Sequence, residues 1–167
     1  MRFVVTGEMN RNRLLQAIVV AYSLYVGLLW LTNALLYFSK MSLSYASVVD
    51  YYLGSPAQFT EPRSFAGMLE ISHFHLFAMG MLLLVLTHLV LFTPISNRAK
   101  AWLIVAPFAA ALLDEGSGWL VRFVHPAFAW TKIAGFLLLQ GSRAALVSLA
   151  LWAVFSGSQR NYDSGSP

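Results

Sequence analysis

Four apolar stretches, at about residues 14–38, 69–93, 101–123 and 127–155, each reach or exceed the roughly 20 residues a helix needs to cross a bilayer. Connections of a few residues between the second, third and fourth force neighbouring helices to run antiparallel. The expected fold is therefore all-α: an integral membrane, up-and-down four-helix bundle over 1–155, with the first span closing it and a polar, disordered tail at 156–167. Composition agrees, since 58% of the 167 residues are hydrophobic and 11% charged, against roughly 25% charged in an average soluble domain. The first stretch is too long for the apolar core of a secretory signal and is read as a retained span. The lack of cysteine excludes disulfides, thiolate-held clusters and covalently attached haem. The formal charge of +4 is spread beside the spans, and no basic patch suggests nucleic acid.

Charge asymmetry orients the bundle. Arg2, Arg11 and Arg13 precede the first span, Arg98 and Lys100 separate the second from the third, and Arg160 follows the fourth. By the positive-inside bias both termini are cytoplasmic, and the 39–66 loop faces outward. In that loop Tyr45, Val48, Val49 and Tyr52 share one face of a short helix expected at 42–53. It is expected to rest on the membrane surface, with a lid over a site as the alternative.

The second span, MLEISHFHLFAMGMLLLVLTHLVLF from Met68 to Phe92, holds Glu70, His73, His75 and His88. Ionisable side chains at such depth mark candidate functional positions. At 100° per residue Glu70, His73, Phe77, Gly80, Leu84 and His88 follow one stripe, while His75 and Met79 lie nearly opposite. His73 and His88 are about 22 Å apart along the axis, with Gly80 midway. This arrangement resembles the haem-bearing helices of membrane cytochromes b, in which imidazoles ligate iron and a small residue admits the ring. The resemblance implies b-type haem. His73 or His75 would pair with His125 at the outward turn, and Arg122 or Arg63 would meet the propionates. His88 has no second histidine at its depth.

The HFHLF segment (73–77), the THLVLFTP end of the second span (87–94) and the WLVRFVHPAF turn (119–128) also resemble small, uncharacterised four-span bacterial inner-membrane proteins. That likeness implies a bacterial cytoplasmic membrane, a single ordered bundle and no particular ligand.

Asp114 and Glu115 of the third span are expected at the depth of His73. Glu70, His73, His75, Asp114, Glu115 and His125 would then form one polar level near the outward face, with three readings. It is a salt-bridged knot that fixes the bundle, a copper or iron site, or the proton-accepting edge of a quinol site beside a haem. Arg143, near the middle of the fourth span, either meets a partner in the bundle or snorkels to the surface. The leading expectation is a membrane electron-transfer subunit with haem b near the periplasmic face, linked to quinol and to other membrane or periplasmic redox subunits. A cofactor-free structural or assembly subunit and a non-haem metal site are the alternatives; a stand-alone enzyme is disfavoured.

Overall fold

A computed structural model describes residues 13–163. The described residues form five α-helices: α1 (Arg13–Lys40), α2 (Tyr45–Leu53), α3 (Phe65–Val90), α4 (Asn97–Phe123) and α5 (Ala129–Asp163). Four of them are long and apolar enough to cross a membrane, the last over Pro126–Phe155. α5 runs on through 156–163, part of the stretch expected to be a disordered tail; SGSQRNYD contains no proline to stop it. Residues 164–167, like Arg2 and Arg11, lie outside the described residues.

Local chemistry sets the helix starts. Ser44, Ser64 and Ser96 each accept a hydrogen bond from the backbone N–H three residues on, capping α2, α3 and α4. Gly54, at φ 80°, takes the left-handed turn that ends α2. His125 caps its own turn through Nδ1, which accepts from Ala127 N–H at 3.1 Å, and Pro126 then opens the path into α5.

α4 and α5 form the central antiparallel hairpin, with α3 packed on both and α1 packed chiefly on α5. Gly135 lets the hairpin close, because a Cβ there would stand 2.8 Å from the Asp114 backbone nitrogen. At the far end, away from α2, the core is aliphatic: Val26, Leu82, Leu83, Leu86, Val90 and Leu146 are buried together. There α1 meets α3, and the Tyr22 hydroxyl donates to the Leu82 carbonyl at 3.2 Å. At the other end α2 packs across α4 and α5, with Val48 and Tyr52 buried among Tyr37, Met68, Val121 and Phe136. The Tyr45, Val48, Val49, Tyr52 face is thus turned onto the bundle, and α2 roofs its end.

Candidate ligand cavity at the α2 end

Beneath α2 the helices enclose a cleft of about 460 Å³, within the usual range for small-molecule sites. Asn33, Tyr37 and Lys40 of α1 form one wall, and Gly67, Met68, Ile71, Ser72 and His75 of α3 the other. The back is Asp114, Glu115 and Gly118 of α4 with Lys132 and Phe136 of α5, and the roof is Tyr51, Tyr52 and the 61–64 segment. Tyr37 stacks on Phe136 at 3.7 Å between centroids, fixing α1 to α5 here. α1 and α3 touch near Tyr22 and Leu82, yet at this level they stand on opposite sides of the cleft.

The roof is tied down. Arg63 donates from its backbone to the Tyr52 carbonyl at 3.0 Å and from Nε to the Tyr51 carbonyl at 3.3 Å, and its guanidinium lies 4.0 Å above the Tyr51 ring. Arg122 Nε donates to the Arg63 carbonyl at 2.8 Å. Both arginines therefore brace the loop. Gly118 makes room for Tyr52, whose hydroxyl would be 2.6 Å from any Cβ at that position. Burial pushes the Tyr52 phenol up to about 12 from its ordinary value of 10.0, because the phenolate would lose its solvation.

Two polar groups face the cleft. In the first, the Ser72 hydroxyl donates to Glu115 Oε1 and accepts from Trp119 Nε1–H at 2.8 Å, while His75 Nδ1 lies 3.2 Å from Glu115 Oε2. An ionised Glu115 only accepts, so the proton of this contact is on Nδ1, and Nε2 is the ring nitrogen without a partner among the described residues. In the second, Lys132 Nζ sits 2.8 Å from Asp114 Oδ1 and donates to the Asp114 carbonyl oxygen at 3.0 Å. Lys132 is buried, and the pair neutralises what would otherwise be two isolated charges in the bundle.

Arg143 is 1% exposed and turned into the bundle. It donates through Nη1 to Gln140 Oε1 at 3.3 Å and through Nη2 to Met79 Sδ at 2.8 Å, while Nε has no partner. A space of about 40 Å³ separates it from Asn33, His75, Asp114 and Glu115, enough for one water.

The polar level expected from the sequence is divided. His75, Glu115 and Asp114 reach the cleft; Glu70, His73 and His125 are exposed away from it. The reason for His73 is the 200° that separates it from His75 on α3. His73 rests edge-on to Phe74 and His88 to Phe92, both exposed. Gly80 is beside no side chain. Among the described residues no three His, Asp or Glu side chains gather as a metal-binding group. Lys132, Ser72 and Gly118 are not among the site residues that the sequence suggests, and Tyr52 is marked there only by the helix face it shares with Tyr45, Val48 and Val49. Counting from the Phe123–Ala129 turn places Lys132 opposite about residue 120, and its long side chain covers the remaining distance to Asp114.

Residues 42–161 match the family of transmembrane helical domains designated Aq_1264_TM. The chain belongs to that family. Its matched segment takes in α2 through most of α5, and therefore three sides of the cleft; the α1 wall lies before it. No curated protein and no solved structure matches the chain.

Proposed function

We propose that this member of the Aq_1264_TM family is a quinol-linked membrane subunit whose cleft binds a quinone-class molecule, an apolar-tailed ring with two hydroxyl or carbonyl oxygens. The observation that carries the reading is a hydrogen-bonding cleft bordered by two spans, α1 on one side and α3 on the other. A lipid-soluble ligand would enter it between these spans, with Tyr37, Met68, Ile71 and Phe136 beside its ring and tail. His75 Nε2 accepts a ligand hydroxyl proton while Glu115 steadies the ring from Nδ1. Lys132, paired with Asp114, borders the same cleft. The charge bias of the loops supports an outward-facing cleft with both termini cytoplasmic. The divided histidines favour a quinone-class ligand over haem as the occupant of this cleft, since His75 is the single histidine along its lining.

The test is equilibrium binding of a decyl-tailed benzoquinol to the protein in nanodiscs, corrected for partition into empty discs. Saturable binding is expected, weakened about tenfold by His75→Ala, the usual worth of one net hydrogen bond with its orphaned partner. Uptake no greater than that of empty discs would refute the reading.

A further inference from the structure

α3 has a second face, opposite the one that lines the cleft. Glu70, His73, Phe77, Leu84 and His88 all point away from the bundle, with Phe77 72% and Leu84 55% exposed. Apolar residues there suit lipid; Glu70 and His73 do not. α3 is 26 residues long, about 39 Å, against a hydrocarbon core of about 30 Å. If the helix is centred, Glu70 lies about 11 Å and His73 about 7 Å from the midplane, both inside hydrocarbon. Among the described residues neither has a hydrogen-bonding or ionic partner, and His73 lies edge-on to the Phe74 ring. An ionisable group at that depth calls for a partner from a neighbouring helix.

We infer that this face is the interface of a homodimer, α3 against α3 of a second copy about a two-fold axis normal to the membrane. The stripe is self-complementary. In a parallel pair the two Glu70 side chains lie about 4.5 Å along the axis from the two His73 rings, less than one turn, so each carboxylate accepts from the partner subunit's His73. A two-fold axis makes that pairing twice, since residue i meeting j requires j to meet i. Positions 70, 73, 77, 80 and 84 step by 3, 4, 3 and 4, the 3.5-residue period along which two helices remain in contact. Gly80 falls within that seam, and a Cβ built there finds nothing within 4 Å, so the second helix can approach closely. An acid and an imidazole on one stripe fit a second copy better than an unrelated subunit, because the face already holds both halves of each bond. The interface leaves the cleft free, so the inference is independent of the ligand reading.

The chain has no cysteine, which makes single-cysteine cross-linking clean. Phe77→Cys in native membranes, treated with a mild oxidant, is expected to give a disulfide-linked dimer. Leu28→Cys, on the exposed face of α1, serves as the control and should stay monomeric. Adding Glu70→Ala and His73→Ala to Phe77→Cys should reduce cross-linking at least fivefold, and the exchange Glu70→His with His73→Glu should restore it. The inference is overturned if Phe77→Cys cross-links no better than Leu28→Cys, if its product contains another protein, or if the alanine pair changes nothing. Counting subunits of the unmodified protein in nanodiscs by native mass spectrometry is a second measurement that needs no variant: two copies per disc support the dimer, and one refutes it.

Discussion

The α2 end and the far end of the bundle use the same helices to opposite purposes. At the far end Leu83, Leu86 and Leu146 are wholly buried and α1 is drawn against α3 through Tyr22 and Leu82. At the α2 end the same two helices stand apart across a cleft whose back wall holds Asp114, Glu115 and Lys132. In a membrane, apolar surface gains little by leaving lipid, so helices are held by close packing and by polar contacts among themselves. The far end shows the first mode and the α2 end the second. Polar groups turned inward maintain an open, hydrogen-bonding space, while the aliphatic end clamps the helices that border it.

Breaking the polar mode should have the largest effect. Lys132→Met leaves Asp114 charged and unpaired inside the bundle and should cost about 3–5 kcal/mol, read as a lowered midpoint in detergent-driven unfolding. Asp114→Leu added to it should recover most of the loss. A double variant as weak as the single one would show that the pair is not what matters.

Tyr52 gives a pH handle on the roof. Its phenol ionises near 10.0 when unfolded and near 12 when packed, so between these values the unfolded chain releases its proton first. Stability is therefore unaffected below pH 10 and falls as pH rises to 12, by up to about 3 kcal/mol. Tyr52→Phe should flatten that part of the profile; an unchanged slope would place the titration elsewhere.

The packing mode should yield less. Leu83→Ala opens a void at the far end but exchanges little surface with water, leaving a packing loss of about 2 kcal/mol. Ligand affinity should hardly change. A cost as large as that of Lys132→Met would erase the contrast between the ends. Smallest of all for stability, Gly118→Ala pushes against the Tyr52 ring and should act on the roof, costing about 1 kcal/mol while weakening decyl-benzoquinol binding several-fold in nanodiscs.

Spans, turns and the α2 helix were legible in the sequence because length, apolar runs and Pro or Gly punctuation depend on neighbouring residues alone. The depth of Asp114 and Glu115 was legible too, since rise per residue fixes it. Which way a side chain turns was harder. His73 and His75 share a level yet face opposite directions on α3, and only helix packing decides which face meets α4. The burial of Arg143 likewise depended on α5 presenting that position to Met79 instead of lipid. Lys132, as a charge near the start of α5, blurs the orientation in the sequence alone, whereas the tight α4–α5 approach at Gly135 brings it onto Asp114. The roofing role of α2 needed the void left by Gly118, a contact between residues far apart in sequence.

A ligand lying between α1 and α3 beneath α2 is the central claim, and photolabelling tests it most directly. A decyl-tailed azidobenzoquinone, activated on the protein in nanodiscs, should mark peptides spanning residues 33–40 and 67–75, and unlabelled decyl-benzoquinol should compete the label away. Labelling spread evenly over the exposed faces of the spans, undiminished by competitor, would contradict it.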